Sequence, residues 1–293
     1  METTLSAVPA AQSLSRTTMG AELRAFRMVV WREWAHFIRY PSWIFALLIW
    51  PVIFPSTYIL SARALSGPDG SGLGRFLETA GTENFLGYIV IGTLVWMWQN
   101  TILWNVGFAL RGEQMRGTLE SNWLSPTWRF SFLLGVSPVQ IIIMLVFIVV
   151  SILEFSLFFG LRFNANLLSL LLVVLASMPS LYGIGFVFAS LVIAAREAGT
   201  LVQLVRGLVM IFCGITYPLS VMPIWMQSFA EWLPPTLIIR AGRAAALTAA
   251  PPAAIQGDLL KLLLFGAFWL ITGYLAFSFM ERRASRRGTV GQF

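Results

Sequence analysis

Six long apolar runs, joined by short polar connections, dictate what this chain can fold into: residues 42–60, 84–110, 132–160, 166–193, 201–216 and 258–280. A membrane-crossing helix needs about 20 mostly apolar residues to traverse a hydrocarbon core about 30 Å thick. Helices satisfy their own backbone polar groups there, and the strict alternation of a membrane barrel is absent from these runs. The expected fold is therefore all-α, a polytopic membrane protein of six transmembrane helices. Composition agrees, since 57% of residues are hydrophobic and only 11% charged, with a mean hydropathy of +0.76. Soluble domains carry roughly a quarter charged residues.

The connections organise the rest. Residues 1–20 are polar and small and read as a disordered stretch without a cleaved signal peptide, because the first long apolar run begins only near Trp43. Residues 21–41 read as an amphipathic helix, with Leu23, Phe26, Val30, Trp34, Phe37 and Ile38 at helical spacing among Arg24, Arg27, Arg32 and Arg39. Such a helix lies in the membrane interface with its arginines near anionic lipid headgroups. The alternative is an ordinary amphipathic helix packed on protein. Residues 42–283 form the six-span domain, and residues 284–293 a basic tail.

Within that domain, Pro51 and Pro55 predict that the first span kinks or ends early. The loop at 61–83 contains GPDGSGLG, too rich in glycine for regular structure. Pro179, Gly183 and Gly185 allow the fourth span to bend and a neighbouring helix to approach closely. Residues 217–257 are apolar yet hold Pro218, Pro223, Pro234, Pro235, Pro251 and Pro252. Two short re-entrant helices on the outer side reconcile these facts, provided protein covers their interrupted backbone.

Charge orients the chain. Its formal net charge is +7, and Lys261 is the only lysine. In a soluble protein this balance would point to nucleic acid, but in a membrane protein position matters more than sum. Of the 20 basic residues, fourteen fall on the side of the two termini and six on the other. The positive-inside bias then places both termini in the cytoplasm of a multi-pass inner (plasma) membrane protein and leaves no nucleic-acid partner. Cys213 is the only cysteine and His36 the only histidine, so neither an intrachain disulfide, a thiolate metal site nor a two-histidine zinc motif can form.

Polar residues inside the spans are few. Gln99, Asn100 and Asn105 lie in the inner half of the second span and should face another helix or a wet cavity. They are candidates for a pathway or for helix-to-helix hydrogen bonds. Glu154, in the outer half of the third span, needs protein, water or a proton beside it, and Arg162 or Arg240 would serve as a structural partner.

One polar island, Arg111 to Pro126, RGEQMRGTLESNWLSP, lies between the second and third spans and must sit at the membrane surface. Glu113 to Leu124 can form one helix with Met115, Leu119 and Trp123 along one face and Glu113, Arg116 and Glu120 largely off it. Pro126 would stop it. A short amphipathic helix of this kind suits a groove on a soluble protein, or else lies flat on the bilayer.

Glu113, Gly117, Thr118, Leu119, Glu120, Ser125 and Pro126 together match the E-x-x-x-GTLE-x-x-x-x-SP pattern, and the island so resembles the cytoplasmic loop of type-2 ABC transporter permeases. The YPLSVMP segment followed by LPPT, and the order of interfacial helix and spans over about Glu22 to Arg283, extend the likeness. The resemblance implies an exporter's transmembrane subunit working as a homodimer or with a paired permease, with the second and fifth spans at the interface. A cytoplasmic ABC ATPase dimer would supply ATP and magnesium. It further implies that Glu113, Arg116, Gly117, Thr118, Leu119, Glu120 and Trp123 couple that ATPase to the spans. Polysaccharide, glycolipid, lipid and hydrophobic drug all remain open as cargo.

The residues support this division of labour independently. A phosphate-binding loop ends in Lys followed by Ser or Thr, whereas Lys261 precedes Leu262 within an apolar run. Energy must come from a partner or from an ion gradient, so an ion-coupled carrier or a channel is the competing reading. An intramembrane enzyme fares worst, for want of a nucleophile and base pair.

Overall fold

The computed structural model describes residues 19–40, 42–65, 78–82, 84–125, 127–194 and 198–287. Residues 1–18, the GPDGSGLG loop, the middle of the 194–200 connection and the end of the basic tail lie outside them. Among the described residues there are helices and turns but no strand. In chain order the helices are α1 (Met19–Arg39), α2 (Ser42–Leu65), α3 (Phe85–Asn105), α4 (Ala109–Met115), α5 (Leu119–Leu124), α6 (Phe130–Phe159), α7 (Leu167–Ala194), α8 (Ala198–Phe212), α9 (Ile224–Ala230), α10 (Pro234–Leu247) and α11 (Gln256–Arg287).

Among the described residues, five stretches are long and apolar enough to cross a membrane: Ser42–Ala64, Phe85–Met115, Phe130–Phe159, Leu167–Val192 and Gln256–Arg283. The predicted fifth span is the exception. Helix α8 has 15 residues, or about 22 Å at 1.5 Å per residue, short of a 30 Å core. It ends before Gly214, whose φ of +62° turns the chain into the proline-broken segment 217–257, the cap. Phe212 meets Phe229 of α9 edge to face at 4.9 Å, so the cap continues the layer where α8 stops. Helix α2 does not end early, continuing through Pro51 and Pro55 to Leu65.

Helix α3 is the axis of the fold, buried along most of its length and touched by α2, α7, α8 and α10. Helices α7 and α11 form the most extensive pair. Gly183 makes that closeness possible, since a Cβ there would stand 2.6 Å from the backbone carbon of Trp269. Gly185 likewise admits Ile102 of α3, whose methyl would lie 2.7 Å from an added Cβ. Small residues let membrane helices pack closely, as expected for this stretch.

At the end remote from the polar island, backbone and side-chain bonds stitch three segments together. Asn84 caps α3 by accepting from Gly87 N at 2.9 Å, and its amide donates to Arg162 O at 2.8 Å. Asn166 N donates to Ala245 O, and Ala249 N to Asn164 O, both at 2.9 Å. The proline-broken segment forms two short helices, α9 and α10, as its sequence predicts. Helix α10 is covered by protein on most of its surface, which keeps its interrupted backbone out of lipid. Arg240 pairs with Asp258 at 2.6 Å and with Glu231. Hydrogen bonding to Asp258, against the opposing effect of burial, holds its guanidinium above the ordinary arginine range.

Arg243 of α10 is the cap's main link to α3. Its Nε donates to Tyr88 O at 3.1 Å and its Nη2 to Ile215 O at 2.6 Å, with the guanidinium 3.3 Å from the Tyr88 ring centre. Gly92 leaves room for this arrangement, because a Cβ there would stand 1.9 Å from Ile215 O.

Helix α1 has no fully buried residue. It exposes Leu23, Met28, Trp31 and Ile38 yet lies on α6, where Val29 fills the space left by Gly135. One face of this amphipathic helix is thus packed on protein and the other is exposed.

Candidate functional site

The polar island folds as two short helices, α4 and α5, instead of one. The break falls at Gly117, whose φ of +71° is the left-handed conformation glycine adopts without strain. Thr118 N then bonds back to Glu113 O at 3.0 Å, closing α4.

Glu113 is the centre of this turn, with its side chain only 2% exposed. Its Oε2 accepts from Thr118 Oγ1 and from Asn122 Nδ2, each at 2.7 Å. Its Oε1 accepts from Arg116 Nη2 at 2.5 Å and lies 3.3 Å from Arg32 Nη2 on α1. One carboxylate therefore joins α4, the glycine turn, α5 and α1. A buried charge is tolerated only when paired and hydrogen-bonded this fully.

Two further clasps hold the island. Glu22 of α1 accepts from Trp128 N at 2.8 Å and from Ser131 Oγ at 3.2 Å, placing a carboxylate at the start of α6 where the helix dipole favours it. Arg129 pairs with Glu281 of α11 at 2.5 Å and lies over the Trp123 ring at 5.7 Å.

Leu119 and Trp123 point inward, at 3% and 8% exposure, and belong to the main core, with Trp123 against Phe277 at 6.2 Å. This corrects the expectation of one exposed face shared by Met115, Leu119 and Trp123. The break at Gly117 rotates α5 relative to α4, so helical spacing no longer runs through both. Met115, at 71%, and Leu124, at 86%, carry the exposed apolar surface, beside exposed Arg116, Gly117 and Thr118. The side chain of Glu120 lies outside the described residues.

Beside the island, α1, α2, α3 and α6, with Gly112, Arg116 and Arg206, line an open cleft of about 670 Å3. Asn100 and Asn105 line it, together with Thr101, Gln140 and Arg206. Gln99 does not, being buried at 5% exposure on another face of α3. Glu154 lies elsewhere too, and its Oε2 is buried without a hydrogen-bond partner among the described residues. Among the described residues neither expected partner, Arg162 or Arg240, pairs with it, and Arg240 binds Glu231 and Asp258 instead.

Sequence reasoning missed Arg32, Asn122, Glu22 and Glu281 as parts of the island's network, and Gln140 and Arg206 as cleft residues. Glu22 and Asn122 carry ordinary surface chemistry in the sequence. Only the fold brings them to the island. An unbroken apolar run containing Gln140, and the single arginine in the predicted fifth span, were the available signals.

A helical membrane domain with a protein-covered cap and a surface turn locked by a buried carboxylate is that of a transporter's transmembrane subunit. Residues 24–247 match the family model for ABC-2 type transporters, and the chain belongs to that family. No curated protein matches it.

Proposed function

We propose that this chain is the permease subunit of an ATP-binding-cassette exporter, that it forms the translocation pathway with a dimer mate, and that separate cytoplasmic ATPase subunits with their ATP and magnesium drive it. The single observation that carries this reading is the Glu113 network. A loop that only rested on lipid would gain nothing from burying a carboxylate to fix two short helices. A loop that transmits force must be stiff where it joins the spans and accessible where it meets a partner.

Both properties are present. Glu113 lies in the helical stretch that continues α3, so displacement of the turn passes directly into the most buried helix of the fold. Met115 and Leu124 flank the turn as apolar anchors suited to a groove on a soluble protein. Leu204, Leu208 and Ile211 give α8 an exposed apolar face for a dimer mate, whereas Val209 turns into the core. The arginine bias supports a cytoplasmic turn and cytoplasmic termini, the side on which an ATPase works. Co-purification of the chain with an ABC ATPase, lost when Met115 and Leu124 are both changed to aspartate, tests the assignment.

A further inference from the structure

Helix α1 sorts its charges by face. Its two carboxylates both turn toward protein: Glu22 accepts from Trp128 N and Ser131 Oγ, and Glu33 lies on the cleft wall with Arg32 at 3.0 Å. The opposite face carries Arg24, Arg27 and Arg39, all exposed, and none of the three forms an ion pair among the described residues. Interleaved with them at helical spacing are Met28, Trp31 and Ile38, which are 65%, 65% and 57% exposed. Arginines among exposed apolar and tryptophan side chains, with no carboxylate on the same face, match the chemistry of anionic headgroups over acyl chains.

Both ends of α1 are fastened where candidate spans begin. Glu22 holds the residues that open α6, and Trp43 N, at the start of α2, donates to Tyr40 O at 3.2 Å. Tyr40, Trp43 and Phe45 keep the exposed surface apolar across that junction and on into the stretch Ser42–Ala64. An acidic soluble partner would account for the arginines but not for an apolar surface that continues into a span.

We propose that the outward face of α1 binds an anionic lipid surface and that this contact steadies the Glu113 turn, so that membrane charge regulates the permease. The same helix supplies Arg32 to Glu113 and Glu22 to the start of α6, one on each side of the polar island. No residue of α1 is fully buried, so its own packing holds it loosely. A surface that binds α1 in this position therefore favours the clasped turn, and the clasped turn favours that surface, by linkage. The inference rests on the permease reading only for its consequence in transport.

The test follows backbone hydrogen exchange of the full chain, without any ATPase, in nanodiscs of phosphatidylcholine alone and of phosphatidylcholine mixed with phosphatidylglycerol. Phosphatidylglycerol should slow exchange across residues 24–39 roughly tenfold and across the turn at 113–124 about threefold. High salt should cancel both effects. The triple variant Arg24→Gln/Arg27→Gln/Arg39→Gln should cancel them too, whereas Arg162→Gln, at the end remote from the island, should preserve them. Equal exchange in the two lipid mixtures, or a phosphatidylglycerol effect that survives the triple substitution, overturns the proposal. Slowing confined to α1 overturns its regulatory part. Loss of ATPase affinity by the triple variant in phosphatidylcholine alone, with no response of exchange to lipid, assigns the arginines to the ATPase and overturns it as well. Failure of any ATPase to assemble with the chain would count against the permease reading and leave the exchange result standing.

Discussion

Arg32 of α1 lies 3.3 Å from Glu113, so the amphipathic helix is tied to the same carboxylate that sets the turn between α4 and α5. The pair is asymmetric, with Arg32 43% exposed and Glu113 2%. Arg32 can therefore be lost at little cost, while Glu113 cannot. Hydrogen bonds to a charged group contribute about 1.5–3 kcal/mol each, whereas a half-exposed ion pair adds about 0–1 kcal/mol.

Glu113→Ala should loosen the turn without unfolding the spans. Thr118, Asn122 and Arg116 all lose their acceptor. Limited tryptic cleavage after Arg116 should rise at least about tenfold, while Arg32→Ala changes it about twofold or less. Equal cleavage of Glu113→Ala and the unsubstituted chain would remove Glu113 from the centre of the network.

Stability and partner binding should separate cleanly along the island. Leu119→Ala and Trp123→Ala empty core positions and should cost about 2–5 kcal/mol each, read as a lower thermal midpoint of the isolated chain in detergent. Met115→Ala and Leu124→Ala remove exposed side chains and should leave that midpoint unchanged within about 0.5 kcal/mol. Their effect should fall on ATPase affinity, with a loss of about 1–2 kcal/mol apiece. The opposite pattern would mean that α5 presents its other face.

How far these residues could be read from the sequence differs along the chain. The amphipathic period of α1, the long apolar runs and the proline-broken cap were legible because each follows from local chemistry. The inward turn of Leu119 and Trp123 was not. Spacing identifies an apolar face, but whether core or partner covers it depends on a backbone angle at Gly117. Arg243 was equally opaque, since its partners are the carbonyls of Tyr88 and Ile215, and every residue has a carbonyl. Asn100 and Asn105 were legible as a polar stripe, but Gln99 sits beside them in sequence and faces away.

The junction between cap and α3 is predicted to be intolerant of a single methyl group. At Gly92 the added Cβ would meet backbone, which cannot move aside as a side-chain end can. Gly92→Ala should therefore abolish a monodisperse peak in size-exclusion chromatography. Gly207→Ala, in a helix with nothing within 4 Å of the new atom, should be neutral or stabilising by up to about 1 kcal/mol.

For the dimer, single cysteines at Leu208 and Ile211, introduced after Cys213 is replaced by alanine, should cross-link in membranes. Val209, at 5% exposure, should not. Cross-linking at Val209 and at neither neighbour would place α8 the other way round.

The most direct test of the central claim is ATP hydrolysis and transport in vesicles containing the purified chain, with and without its ABC ATPase. The account predicts no hydrolysis and no transport by the chain alone, ATP-dependent transport with the partner, and loss of that transport in Met115→Asp/Leu124→Asp despite a normal thermal midpoint. Transport driven by an ion gradient in vesicles holding this chain alone, or full coupling in the double variant, would contradict it.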